Sequence, residues 1–406
     1  MPLPRPSLSV HDVTAYAESV FTPCGRDLVG IELEWPLHRP PGVETRPAHA
    51  DLASFDGLRL GAGSRVTIEP GGQVELSTAP FPTAAGALSA AQADSDALFA
   101  LLHRADLVPC TLAVDDRRRP QRILDKSRYG AMEEFFAGQG WAGAWMMNNT
   151  TSTQINLSHD AADPVGRWDL LHRLAPVLIA AFSNSPGVDV HGRRWACLRQ
   201  AIWWSIDPGR TRPVRVAADP ARAWADYALD APVMFITGPD DTRVVPAPGL
   251  TFRDWLTHGH PAGWPTVDDL RSHLTTLFPP VRPRGWLELR VLDALPEWIR
   301  SVAVLAVATA VRDDARRELL RRLPDTGGLW LPAIRDGLAD PALAGQAEIF
   351  FEVVTAHLDP ATVGPELAAR VAEFRARYVA RRRCPGDDRP VPFDLRAPLL
   401  RTAGAA

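Results

Sequence analysis

Ser64-Arg65-Val66-Thr67-Ile68-Glu69-Pro70-Gly71-Gly72-Gln73-Val74-Glu75-Leu76-Ser77-Thr78 is the stretch whose reading decides the architecture of this chain. Val66 and Ile68 alternate with Arg65, Thr67 and Glu69; Val74 and Leu76 alternate with Gln73, Glu75 and Ser77. Residues of one parity share a face of a strand, so each half has an apolar side and a polar side. A two-residue Gly71-Gly72 loop would set Glu69 opposite Val74. A three-residue Pro70-Gly71-Gly72 loop pairs Glu69 with Gln73 and Thr67 with Glu75, and keeps the polar residues on one face. That face then carries two carboxylates and an amide. Acidic groups crowded on a sheet repel one another unless a cation sits among them. A plain solvated face is the alternative from this segment alone.

Three more segments repeat the alternation. In Gly30–Trp35, Glu32 and Glu34 lie on the side opposite Ile31, Leu33 and Trp35. In Ser152–Leu157, Ser152, Gln154 and Asn156 oppose Thr153, Ile155 and Leu157. In Trp286–Val291, Glu288 and Arg290 oppose Leu287, Leu289 and Val291. Antiparallel sheets commonly pack one face on the core and leave the other free. If the strands join one sheet, its free face collects Glu32, Glu34, Glu69, Glu75 and Glu288 beside Gln73, Gln154, Asn156 and Arg290. Such a hard-oxygen set suits magnesium or manganese, shared with substrate phosphates. Unrelated amphipathic strands facing water are the alternative. A paired-carboxylate glycosidase would use two of these acids and leave the other three unexplained.

The rest of the sequence narrows the choice. The chain has 406 residues, 46% hydrophobic and 23% charged, with a net charge of −4. It reads as a globular chain with no electrostatic case for nucleic acid. Lys126 is its single lysine and lacks the glycines of a phosphate-binding P-loop. The cysteines Cys24, Cys110, Cys197 and Cys384 are far apart, so a reduced, cytoplasmic protein without zinc knuckles is expected. His258 and His260 read as loop residues, since the histidines lack ligand spacing. The N-terminal residues have no apolar core for a signal peptide. The apolar run Val302–Val311 is too short for a membrane span and reads as a buried helix. Helices are predicted over Asp12–Val20, Thr83–Ala105, Ala131–Ala137, Trp168–Ser183, Leu250–Leu256 and Thr266–Leu277, and beyond Pro296 over 297–322, 341–357 and 363–383. The run Arg381-Arg382-Arg383 reads as a solvated helix end. The organisation expected is an α+β catalytic core over 1–295 and a helical part over 296–406 packed on it.

These residues resemble a known family. Gly30-Ile31-Glu32-Leu33-Glu34, Thr67–Ser77, Met146-Met147 through Gln154-Ile155-Asn156-Leu157, and Arg284–Arg290 with Asp293 are similar to the active-site strands of glutamate–cysteine ligases of the plant and bacterial GCS2 type. Arg128-Tyr129, Arg199–Trp203, Asp207–Thr211 and Leu250–Trp255 are similar to its actinobacterial branch, which serves ergothioneine biosynthesis. The resemblance implies a glutamine-synthetase-like cupped antiparallel sheet flanked by helices. It implies joining of the L-glutamate γ-carboxylate to the L-cysteine amine through a γ-glutamyl phosphate, with ATP as the phosphoryl donor. It implies Mg2+, or Mn2+, held by Glu32, Glu34, Glu69, Glu75 and Glu288, with Gln73 and Gln154 beside them. It implies that Arg290 and Arg199 act on phosphate or acyl phosphate. Arg210 would hold substrate carboxylate or phosphate, Asn156 would orient glutamate, and Arg128 and Tyr129 would line the pocket. Small-molecule partners alone and a monomer are expected, without nucleic acid or membrane. Asn148-Asn149 and Ser158 depart from the family pattern and leave the amine-substrate pocket open. Another amine acceptor, or a homologue that binds glutamate or nucleotide without turnover, are the rival readings.

Overall fold

The computed structural model describes residues 8–400 apart from Cys24 and Ala161. Its centre is one six-stranded antiparallel sheet. The strands are β1 (Val29–Trp35), β2 (Arg65–Ile68), β3 (Val74–Ser77), β4 (Ser152–Leu157), β5 (Val281–Pro283) and β6 (Leu287–Asp293), in the spatial order β5-β6-β4-β1-β3-β2. All four alternating segments thus join one sheet. The hairpin has the odd loop: Thr67 pairs with Glu75 and Ile68 with Val74, and the Glu69 amide donates to the Gln73 carbonyl at 2.9 Å. Gly72 takes a positive φ of 85° there, which glycine alone adopts freely.

Ile31, Leu33, Val66, Val74, Leu76, Ile155, Leu287 and Leu289 are buried on the other face. Helices cover them: α1 (Val10–Val20) lies outside this layer, while α2 (Ala84–Arg104), α3 (Ser127–Ala137), α4 (Ala142–Asn149), α5 (Gly166–Phe182) and α6 (Leu198–Trp204) divide between the faces. Helix α2 packs on β1 and α5 on β6, behind the sheet. Helices α3, α4 and α6 pack on one another around a second apolar cluster. The run from Val302 is a buried helix as expected, α7 (Glu297–Ala310), packed on α2.

Two helix expectations fail at their ends. Residues 297–322 form α7 and a separate α8 (Asp313–Arg322), because Arg312 is extended and Asp313 and Asp314 start a new helix. Acidic side chains are favoured at such an N-terminus. After α9 (Pro341–His357), the last long helix, α10 (Pro365–Arg377), stops before the arginine run. Arg382 is left-handed, and Arg377 and Arg383 both turn to Asp388, at 2.7 and 2.8 Å. Among the described residues no helix is long and apolar enough to cross a membrane.

Candidate active site

The strand register lays the polar side chains out in rows across the open face. Asn156 stands between Glu288 and Gly30. Glu32 stands between Gln154 and Ser77. Glu34 pairs with Glu75, which pairs in turn with Thr67. Gln73 and Glu69 close the far end beside the turn. The β6 strand does not keep its alternation: Leu289 pairs with Ile155 but Leu292 with Thr153, so a bulge falls at Arg290-Val291. A bulge re-aims the side chains that follow it. Here it brings Asp293 opposite Ser152, onto the parity of the open face.

A cleft of about 710 Å³ lies over these rows. Its acidic wall is Glu32, Glu34, Glu69 and Glu75, and its basic wall includes Arg128, Arg199, Arg282, Arg284 and Arg290. Lys126 stands at its rim, 3.8 Å from Asp56. A separate hollow of about 500 Å³, lined in part by Asp27, His159, Arg167 and Arg312, carries none of the expected site residues.

The acids are held by neutral donors. Asn156 donates to Glu32 at 2.8 Å, Gln154 to Glu34 at 3.1 Å, and the Ser152 amide to Glu34 at 2.8 Å. Ser77 and Thr67 donate to Glu75 at 2.8 and 3.1 Å. Burial and the neighbouring charge of Glu75 push Glu32 up to about 7. Burial, then Glu75 and Glu34, push Glu69 well above the ordinary carboxylate range. Burial also raises Glu34 and Glu75. Four carboxylates raised together are a site short of positive charge, and oxygen donors of this kind suit a hard divalent cation. Among the described residues no three acidic, histidine or cysteine side chains converge as a closed cage. Magnesium does not require one, since it keeps waters and takes substrate phosphate oxygens.

Glu288 is different. Its oxygens accept from Arg282 at 2.6 Å, Arg284 at 3.0 Å and Arg290 at 3.4 Å. Burial would raise it, but Arg282, Arg290 and Arg284 hold it at about 2. Its charge is thus already matched by arginine, unlike that of the four raised glutamates. Arg290 also donates to Gln154 Oε1 at 2.6 Å, which ties the two walls together. Arg199 is 3% exposed, and its Nε and Nη1 make no hydrogen bond among the described residues. Its Nη1 lies 4.0 Å from Asp293, itself fixed by Ser185 at 2.7 Å. A buried guanidinium with idle donors at a cleft is a ready receiver for an anion.

Arg128 and Tyr129 line the cleft as expected, with Arg128 donating to Thr275 Oγ1 at 2.7 Å. Asn156 instead faces an adjoining groove of about 400 Å³ at the Gly30–Trp286 end. Arg210 is not brought to the site. It is fully buried, donating to Asp207 and Thr276 at 2.9 Å each and to the Pro232 carbonyl, and lies over the Phe135 ring, so its guanidinium is spent inside the protein. Asn149 is spent on structure, donating to the Asp115 and Arg118 carbonyls at 2.7 and 2.9 Å and accepting from Arg46 at 3.0 Å. Arg46 also donates to the Gly71 carbonyl, so it clamps the hairpin turn to the end of α4. Arg282, Arg284 and Arg46 were not singled out from the sequence. For the first two the signal was present: a hairpin turning at Gly285, φ +84°, sets Arg282 opposite Glu288.

The chain is similar to proteins of known name along most of its length. The glutamate–cysteine ligase EgtA of Mycolicibacterium smegmatis is 37% identical over 381 residues, covering 90% of this chain and 86% of that protein. EgtA of Mycobacterium tuberculosis is 36% identical over 402 residues, covering 94% and 90%. Among solved structures, the glutamate–cysteine ligase of Francisella tularensis in complex with AMP superposes with a TM-score of 0.51 at 15% identity, over 89% of this chain and 83% of that one, a likeness of fold. Residues 28–383 match glutamate–cysteine ligase family 2, and the chain belongs to that family.

Proposed function

We propose that the chain joins the γ-carboxylate of L-glutamate to the amine of L-cysteine, with ATP cleaved to ADP and phosphate. The product is γ-glutamylcysteine, the first intermediate of ergothioneine biosynthesis. The observation that carries this reading is one cleft with a carboxylate wall facing an arginine wall, in a chain of this family. A carboxylate does not acylate an amine at neutral pH, because its oxide is a poor leaving group. An oxygen of the γ-carboxylate attacks the γ-phosphorus of ATP, ADP departs, and a γ-glutamyl phosphate forms. The cysteine nitrogen then attacks the acyl carbon, and phosphate leaves as the C–N bond forms. No protein nucleophile takes part, so the protein contributes positioning and charge.

Arg290 and Arg199 bind the transferred phosphoryl group, whose growing charge their planar forks match. Magnesium, or manganese, when bound clamps the phosphates and neutralises their charge. Glu32, Glu34, Glu69 and Glu75 would hold it, with Gln73 and Gln154 at its side and Glu288 keeping the arginines in place. The groove at the Trp286 end has room for the nucleoside. Residues 1–295 form the catalytic core and 296–406 its helical support, acting as a cytoplasmic monomer on small molecules alone.

The test is mass-spectrometric detection of γ-glutamylcysteine from glutamate, cysteine and Mg-ATP. Product is expected with the native chain, and less than about a hundredth of it with Glu69→Ala, as befits loss of a charge-stabilising group. Unchanged activity in the variant would refute the metal-ligand assignment; equal rates with cysteine and an unrelated amine would refute the acceptor.

A further inference from the structure

Both walls of the cleft lean on loops, and one late segment of the chain reaches the supports of both. The acidic wall ends at the Glu69–Gln73 turn. Arg46 grips that turn through the Gly71 carbonyl, and donates to the Asn148 carbonyl at 3.1 Å. The loop of residues 115–119 holds Arg46 in its turn. Arg46 Nη2 donates to the Arg119 carbonyl at 3.3 Å and to Asn149 Oδ1 at 3.0 Å. The Asp115 amide donates to the Asn149 carbonyl at 2.8 Å, so the end of α4 is tied to the same loop. The basic wall leans on Ser185. Its hydroxyl donates to Asp293 at 2.7 Å and accepts from the Arg199 amide at 3.1 Å.

Residues 384–400 lie beyond the span that matches the family, and they run across both supports. On one side they follow the loop that carries Ser185. The Gly386 amide donates to the Ser183 carbonyl at 2.8 Å, the Phe393 amide to the Pro186 carbonyl at 2.9 Å, and the Leu395 amide to the Val188 carbonyl at 3.1 Å. Phe393-Asp394 forms a short strand parallel to Gly187-Val188. On the other side they meet the loop of residues 115–119. The Asp394 amide donates to Asp116 Oδ2 at 2.8 Å. Arg119 donates through Nε and Nη2 to the Pro398 and Leu399 carbonyls at 3.2 and 3.0 Å. Between these ties the buried Phe393 and Leu395 enter the apolar cluster that also holds Phe135, Met146 and Leu198. Close-packed interiors of this kind transmit displacement.

We propose that residues 384–400 are a strap that positions the active site, and that Asp116 and Arg119 are the positioning residues through which it holds the Glu69–Gln73 turn. The path is contiguous: strap, loop 115–119, Arg46, turn. The bonds to Ser183, Pro186 and Val188 join main chain to main chain, which side-chain substitution leaves in place. The bonds to Asp116 and Arg119 use side chains, so this is where the strap can be loosened without cutting the chain. Without Asp116 the Asp394 amide loses its acceptor. Contiguity is not itself coupling, so the turn has to be read directly. The kinetic consequences rest on the ligase reading above; the hold on the turn does not.

The test is the full chain carrying Asp116→Ala and Arg119→Ala together. Three quantities are read: kcat, the magnesium concentration that gives half the maximal rate, and hydrogen–deuterium exchange over residues 69–73. The kcat is expected to fall by about tenfold or more, within the hundredfold that a misplacement of about an ångström costs. The half-activating magnesium concentration is expected to rise several-fold, because Glu69 moves, and exchange at the turn to quicken. Asp116→Asn keeps an acceptor for the Asp394 amide and is expected to retain the native values. Arg119 is exposed, so its single alanine variant folds and shows the same signs more weakly if the double variant does not fold. A lower kcat with native magnesium dependence and native exchange at the turn is the result of a merely structural role, and it overturns the strap. So does a folded double variant with native kcat and native exchange. If the native chain makes no γ-glutamyl product, the ligase reading falls and exchange alone decides. Quicker exchange at the turn in the alanine variants, and not in Asp116→Asn, keeps the strap; unchanged exchange removes it.

Discussion

Glu69 lies among acids, and it is held up by burial first and then by the charges of Glu75 and Glu34. Such a group opposes the fold that carries it until a cation arrives. Glu69→Gln is therefore expected to raise the melting temperature of the metal-free protein by roughly 1–3 °C while abolishing ligation, a shift of the size that relief of about a kcal/mol produces in a chain this long. Magnesium should raise the melting temperature of the native chain and not that of the variant. Thermal scans with and without the metal check both, and a metal-free variant that melts lower would count against the reading. The glutamates were legible because strands have a period of two, and parity alone put them on one face. Arg210 turned out differently for an equally physical reason: within the motif Asp207–Thr211 it read as a holder of substrate carboxylate or phosphate. In the fold they pair with each other at 2.9 Å inside the protein. Spacing along the chain does not say which way a guanidinium turns.

Among the elements, the hairpin is seated closely on its neighbour. A Cβ on Gly71 would stand 2.2 Å from the Asn148 carbonyl oxygen, a clash that only movement of the turn can relieve. Gly71→Ala is expected to push the turn off the end of α4, carrying Glu69 and Gln73 with it. Displacements near an ångström cost catalysis about a hundredfold. Steady-state kinetics should show that loss together with a lowered melting temperature; full activity would mean that the turn's seat on α4 does not position the acids. The loop length was readable in advance, because only one loop kept polar residues together. The bulge in β6 was only partly readable, since Val291-Leu292-Asp293 breaks the alternation without fixing where the extra residue falls. It arises from pairing with β4, a property of two strands and not of one. The helix limits divide: Asp313-Asp314 after Arg312 is a start signal the sequence carries, whereas Arg382 leaves helical geometry where Arg377 and Arg383 turn to Asp388.

Across the whole molecule, stability rests on buried packing, and that packing includes histidines kept neutral. Burial pushes His172 and His159 down to about 4 and His273 to about 3, from an ordinary value of 6.5. Each folded value is below the unfolded one, so the unfolded chain binds more protons in between. The stability these groups carry is whole above pH 6.5 and is lost as pH falls toward about 4. The raised glutamates act in the opposite sense over part of that range, so the informative quantity is a difference between variants. His172 sits in α5, where Nδ1 lies 2.8 Å from the Trp168 carbonyl. His172→Gln is expected to be less stable than the native chain near neutrality, with the gap closing as pH falls below about 6. Melting temperatures across that range decide it, and a constant gap would rule it out. The position of Lys126 has a practical consequence. It is the chain's only lysine, and its side chain is 55% exposed at the rim of the cleft. An amine-directed dye therefore has one lysine side chain to acylate, and that attachment point overlooks the active site. A chromophore placed there would report on filling of the cleft without any engineered cysteine.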